Sequence, residues 1–263
     1  MPSLLCATES ADKLASLRVI GDWLVFVVAS KHIDRRGQGV YNQIDQSSQC
    51  YREVNPLFAK FLNLNTEKQD RILNAALKEF AKKGYQIAST NEIVKEAEIS
   101  KGLLFHYFNN KKDLYLFLYD HFMEMLLEEI HAKIDWIEND IFIRYRQVAI
   151  LKFGLFQKYP DAFDFIKAAY PEDADEVKVD LERRIKELLD KGYTDFFANL
   201  DYSKFKDGTN ITKTMQIIFW TMEGFASQLQ AKVATTPLDQ MKLEEILAEM
   251  DSYSEILKNA FYK

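Results

Sequence analysis

The chain has 263 residues, of which 48% are hydrophobic and 28% charged, and a net charge of −6; that length allows one large domain or two modest ones with real cores. Nine glycines and five prolines suit long helices better than many tight turns. The acidic total argues against a protein coated in nucleic acid, but nine positive and seven negative side chains lie between residues 66 and 115, so a mildly basic head precedes an acidic body.

Residues 1–64 lack sustained periodicity. Their one apolar run, Val19 to Ala29, contains Asp22 and is about half the ~20 residues that a membrane-spanning helix needs. Lys13 and Arg18 ahead of it faintly imitate a signal peptide, but the acidic residue and the lack of a small-x-small cleavage site make it a poor one. A cytoplasmic protein with no membrane partner is therefore expected. Cys6 and Cys50 both fall in this segment, far from any histidine at metal-ligand spacing, so neither a metal site nor a disulfide framework follows. No methionine occurs between Met1 and Met123, and a strong helix start stands at Thr66. Residues 1–64 are thus read as a poorly ordered extension or as a non-native one, with the alternative start near Leu62 or Leu64.

From Thr66 the pattern becomes helical. Thr66 followed by Gln69 reads as a capping box, and Ile72, Leu73, Ala76, Leu77 and Phe80 share one face until Gly84 stops the helix. Ser89 with Glu92 reads as a second capping box, opening a short helix that buries Ile93, Val94 and Ala97. After a turn at Ile99, Ser100 caps a third helix from Lys101 to about Phe108. Leu104 and Phe108 share its inner face, and Lys101, Leu103, His106 and Tyr107 point elsewhere. Two short helices across so brief a turn make a helix-turn-helix. Asn110 with Asp113 then caps a longer helix beginning at Lys111.

Further helices are expected at 111–135, 140–158, 161–169, 173–199, 210–233 and 238–261, with breaks at Pro160, Pro171, Gly208 and Pro237. No strand signal competes, and the fold class is all-α. The stretch Met215 to Leu229 is apolar nearly all round, so it must be covered on more than one side.

The segment ILNAALKEFAKKGYQIASTNEIVKEAEISKGLLFHYFNNKKDLY, within residues 66–119, resembles the DNA-binding domain of the TetR family. The resemblance rests on the joint order of a helix ending in KKGY, a Ser-Thr helix start, and SKGLLFHYF followed by a lysine. It implies a helix-turn-helix head at 65–112 on a helical effector-binding and dimerisation domain at 113–263, with the third helix entering the major groove. Carried over by position, Lys101, Gly102, Leu103 and His106 correspond to groove-facing residues. Lys101 is placed to donate to guanine, Gly102 permits close backbone approach, and Leu103 is placed to touch a thymine methyl. Ser89, Thr90, Tyr107 and Lys111 correspond to phosphate clamps. Phe105 stands where the family commonly has tyrosine, which removes one hydroxyl contact. Taken singly, Lys111 and Lys112 read as a solvated helix start and Ser89 and Thr90 as caps; together on a helix-turn-helix they point to DNA.

The resemblance further implies a homodimer through the last two helices, a palindromic double-stranded DNA operator and a small-molecule effector whose identity the sequence leaves open. Phe153, Phe156, Phe163, Phe165, Tyr170, Phe219, Trp220 and Phe225 are the aromatic candidates for an effector pocket, with Glu223 as a polar anchor, although most are expected to be core. Effector binding would shift the long helix that begins at Lys111 and move the two recognition helices off groove spacing. A ligand-released repressor is the leading reading; a transcriptional activator and a sequence-tolerant DNA-binding protein of the same fold are the alternatives. No catalytic residue, cofactor or metal is expected, because metalloprotease, nucleophile-elbow and phosphate-loop motifs are all missing and His121 and His131 stand ten residues apart.

Overall fold

A computed structural model describes residues 58–233 and 241–263. The apolar run Val19 to Ala29, Cys6, Cys50 and the break at Pro237 lie outside the described residues. Those residues form ten α-helices and a 3-10 turn at Tyr202–Lys204, with no strand among them. The helices are α1 (Ala59–Leu62), α2 (Thr66–Ile87), α3 (Thr90–Glu96), α4 (Lys101–Tyr107), α5 (Lys111–Lys133), α6 (Ile141–Lys158), α7 (Pro160–Ala169), α8 (Lys178–Phe196), α9 (Ile211–Val233) and α10 (Leu243–Phe261). They group into two compact units, one running to Met125 and adding Tyr159–Arg184, the other made of Leu126–Lys158 and Ile185–Lys263.

In the first unit α2 buries Ile72, Leu73, Ala76, Leu77 and Phe80, as its periodicity predicts. Its cap is Asn65, not Thr66: the Asn65 side chain accepts the Lys68 N–H at 2.9 Å. Gln69 reaches back to the carbonyls of Leu62 and Leu64 instead of closing a capping box. The helical path ends at Gly84, whose φ of +67° is a conformation that a side chain resists. Helix α7 packs along α2, placing Phe165 6.4 Å from Phe80, and Pro160 is its first residue, where a missing N–H costs nothing.

Residues 58–64, counted with the extension on sequence grounds, take part in this unit. Phe61 is wholly buried, and its ring centroid lies 4.9 Å from that of Phe108 and 5.4 Å from that of Phe117. Phe58 is likewise buried, 4.8 Å from Phe117.

In the second unit α6, α9 and α10 share a core that includes Phe142, Tyr145, Ile218, Met222, Met250 and Leu257. Arg144 is buried at 1% exposure, and its hydrogen bonds among the described residues all go to backbone. Its guanidinium donates to the carbonyls of Glu138, Phe196 and Ala198, pinning the end of α8 to the loop before α6. Asp140 caps α6 by accepting the Phe142 N–H at 2.9 Å and also pairs with Lys204. Among the described residues no helix is long and apolar enough to cross a membrane.

Candidate nucleic-acid interface

The helix-turn-helix is built from local chemistry and one long-range contact. Helix α3 starts after Ser89, but the Ser89 hydroxyl makes no cap there, so the expected Ser89–Glu92 box is not formed. The Ser89 N–H instead donates to Glu79 Oε1 at 2.8 Å, and Lys83 holds the same oxygen at 2.8 Å. A carboxylate about two turns before the end of α2 thereby sets where α3 begins. Ile93 and Ala97 are buried, Val94 is half-buried, and Glu98 turns the chain with a φ of +52°.

Ser100 then caps α4, its Oγ accepting the Leu103 N–H at 3.1 Å. Leu104 and Phe108 are wholly buried, which fixes the roll of α4 and leaves the opposite face outward. Lys101, Gly102 and His106 are exposed there, while Leu103 and Phe105 are half-buried. A methyl built at Gly102 would meet nothing within 4 Å, so the backbone is open to a closely approaching partner. Tyr107 differs from the clamp expected on sequence grounds, since its ring is buried, edge-on to Phe61 at 6.1 Å and beneath Lys68 at 5.9 Å. Thr90 is the half-buried first residue of α3.

Asn110 caps α5 as expected, accepting the Asp113 N–H at 2.8 Å. Lys111 is held at two points. Its Nζ donates to the Gln86 carbonyl at 3.2 Å and lies 4.6 Å above the Tyr85 ring. Burial pulls its ammonium below the ordinary lysine range, against the opposing fields of Glu176, Glu172 and Glu79. Lys112 pairs with Asp180 at 2.8 Å, and Arg184 with Asp120 at 2.8 Å. Sequence reasoning missed Phe58 and Phe61, for which the only signal was an i, i+3 pair of aromatics. It also missed Glu172, Glu176 and Asp180, which local pattern cannot assign to the head.

The candidates for an effector pocket are divided between the units. Phe163 and Tyr170 belong to the first, and Phe153, Phe156, Phe219, Trp220 and Glu223 to the second. Phe163, Phe219 and Glu223 are buried, and Phe153, Phe156 and Tyr170 half-buried. The remaining two aromatic candidates, Phe165 and Phe225, are buried as well. Trp220 departs from the expectation: at 63% exposure it lines no enclosed pocket in the single chain. A surface cleft of about 480 Å³ between α2 and α7, lined by Lys78, Lys82, Asp161, Asp164 and Lys167 among others, takes in none of these aromatics.

Residues 72–122 match the profile described as "Bacterial regulatory proteins, tetR family". That segment is similar to the TetR family of bacterial regulatory proteins. Among relatives, the uncharacterized HTH-type transcriptional regulator YuxN of Bacillus subtilis (strain 168) is 41% identical over 64 residues, which is 24% of this chain and 22% of YuxN. The match thus spans about a fifth of that relative's length. The fatty acid metabolism regulator protein of the same strain is 24% identical over 166 residues, covering 59% of this chain and 80% of that protein. Among solved structures, a TetR family transcriptional regulator from Chloroflexus aurantiacus J-10-FL aligns at a TM-score of 0.52 and 21% identity, over 78% of this chain and 98% of its own. That likeness establishes the TetR fold.

Proposed function

We propose that the protein is a DNA-binding transcriptional regulator that acts as a homodimer on a palindromic operator and is released by a small-molecule effector. The observation that carries this reading is the outward face of α4. Lys101, Gly102 and His106 stand exposed together on a helix whose roll is fixed by buried Leu104 and Phe108, the arrangement that reading base edges in a major groove requires. A cytoplasmic location belongs to this reading, since the operator is there.

Dimerisation is supported by the outer faces of the last two helices. On α9 the exposed positions Lys213, Ile217, Trp220, Gly224 and Gln228 fall at helical spacing in one stripe. Trp220 at 63% exposure and Ile256 of α10 at 65% are large apolar side chains that a single chain leaves in water. Trp220 is therefore assigned to the subunit interface instead of the effector pocket. Two copies joined there present two α4 helices, which is the reason for expecting an inverted-repeat site.

The effector would act through α5, one continuous helix from Lys111 at the head to Lys133, by favouring a conformation that binds DNA less well. Buried Glu223 and half-buried Phe153 and Phe156 remain the pocket candidates of the second unit, and Phe163 and Tyr170 those of the first. Because a fatty acid metabolism regulator is among the relatives matched, over 80% of its own length, long-chain acyl compounds are the first class to test. The experiment is selection of bound duplexes from a random pool and from the DNA flanking the gene, followed by release assays with such compounds. Enrichment of an inverted repeat that one class of compound releases supports the reading; uniform binding of all sequences favours the sequence-tolerant alternative, and operator position relative to the promoter separates repressor from activator.

A further inference from the structure

Tyr85 is held at both of its polar ends by carboxylates from outside the segment matched to the family profile, residues 72–122. Its backbone N–H donates to Glu172 Oε2 at 2.7 Å, and its hydroxyl donates to Glu176 Oε2. Glu172 is itself fixed, because its other oxygen accepts the Ala174 N–H at 3.1 Å and its own N–H donates to the Ala169 carbonyl at 3.3 Å. Gly84 makes room for this carboxylate, since a methyl there would lie 3.2 Å from Glu172 Oε2. The ring held in this way is also packed at 5.1 Å, edge-on, against the buried Tyr115. Lys111 rests 4.6 Å above the Tyr85 ring and donates to the carbonyl of the next residue, Gln86.

We propose that Glu172 and Glu176 are positioning residues for duplex DNA: they fix Tyr85, and Tyr85 with the Gln86 carbonyl holds Lys111 ready for a phosphate. This rests on the reading of the head as DNA-binding and deepens it, assigning part of the DNA-contact machinery to the connection between α7 and α8. A long lysine side chain has much rotamer freedom to lose on binding; a ring beneath it and a carbonyl at its tip remove that cost before DNA arrives. The sign of the effect is what makes the proposal testable. Two carboxylates near a phosphate backbone repel it, so by charge alone their removal tightens DNA binding. As positioning groups, their removal weakens it.

The test is binding of the full chain to a 30-base-pair duplex of arbitrary sequence across a range of salt concentrations, which needs no knowledge of the operator. Glu172→Ala is expected to bind about tenfold more weakly, as for loss of one charge-assisted contact, and to show a log–log salt slope shallower by about 0.9, the value of one phosphate contact. Lys111→Ala gives the same two changes, and the double variant adds little to either. Glu172→Gln, which keeps an oxygen for the Tyr85 N–H while removing the charge, restores both affinity and slope. Glu176→Ala and Tyr85→Phe delete two ends of one hydrogen bond, so their losses match and do not add. These comparisons do not depend on any one variant folding well, because a generally destabilised head does not lower the slope by a single contact and is not rescued by glutamine. Wild-type binding combined with Glu172→Ala affinity at or above wild type and an unchanged slope overturns the inference and leaves the DNA-binding reading standing. A wild-type chain with no salt-dependent duplex binding removes both.

Discussion

Replacing Phe61 by alanine tests whether the residues ahead of Asn65 belong to the DNA-binding head. Phe61 is wholly buried, with ring centroids of Phe108, Phe117 and Tyr107 at 4.9, 5.4 and 6.1 Å. Truncating such a phenylalanine costs about 3–5 kcal/mol, and each edge-on or tilted aromatic contact accounts for roughly 0.5–1.5 kcal/mol of that loss. Against a typical total of about 5–15 kcal/mol this is about a fifth or more of the stability of the unit. Two of the rings released, Tyr107 and Phe108, lie at the end of α4, so the face that carries Lys101 and His106 loses its footing too. Tryptophan fluorescence is a poor probe, because the tryptophans among the described residues, Trp136 and Trp220, both lie in the other unit. Hydrogen exchange of the slowest amides in α2 and α4 reports the change directly. Phe61→Ala is expected to accelerate them by at least about a hundredfold, while Phe61→Leu keeps most of the protection. Acceleration below about fivefold, equivalent to under roughly 1 kcal/mol, would refute the placement of Phe61 in the core.

Three further outcomes follow from individual contacts. Gly84→Ala is expected to destabilise the first unit by about 1–2 kcal/mol in urea unfolding, because alanine resists a φ of +67° and its methyl would press on Glu172 at 3.2 Å. Arg144→Met is expected to cost about 3 kcal/mol or more in thermal melting, since it strips donors from the carbonyls of Glu138, Phe196 and Ala198; a methionine variant as stable as wild type would show that water replaces the guanidinium. Trp220→Glu is expected to turn a dimer into a monomer in sedimentation analysis at micromolar concentration without loss of helix content, given the 63% exposure of Trp220 in the single chain. An unchanged dimer would place the interface elsewhere.

Much of the head could be read from the sequence because its determinants are local. Ser100 caps the residue three positions on, Asn110 does the same for Asp113, and Leu104 and Phe108 lie one turn apart. The misassigned caps fail for equally physical reasons. Asn65 and Thr66 are adjacent and of residue types that both favour caps, and Gln69 has better acceptors behind it in Leu62 and Leu64. Ser89 is served by Glu79 from the preceding helix, a partner that no N-terminal motif encodes. Helix α1 has four residues, too few for a 3.6-residue period to register. Glu172 and Glu176 reach Tyr85 across 87 and 91 positions, a separation at which one sequence holds no signal. For Met215 to Leu229, apolar on nearly every side, periodicity predicts cover all round but does not say that Trp220 faces outward while Met222 and Phe225 face the core.

The central claim is that α4 reads bases. Its most direct test is the ratio of affinities for a selected inverted repeat and for the same duplex scrambled, measured at physiological salt with wild type and with Lys101→Ala. A wild-type ratio of about a thousandfold or more is expected, reduced by roughly 5- to 150-fold in the variant at the one base position that Lys101 contacts, with binding to the scrambled duplex nearly unchanged. A wild-type ratio near one, or a Lys101→Ala variant that weakens both duplexes equally, would contradict it.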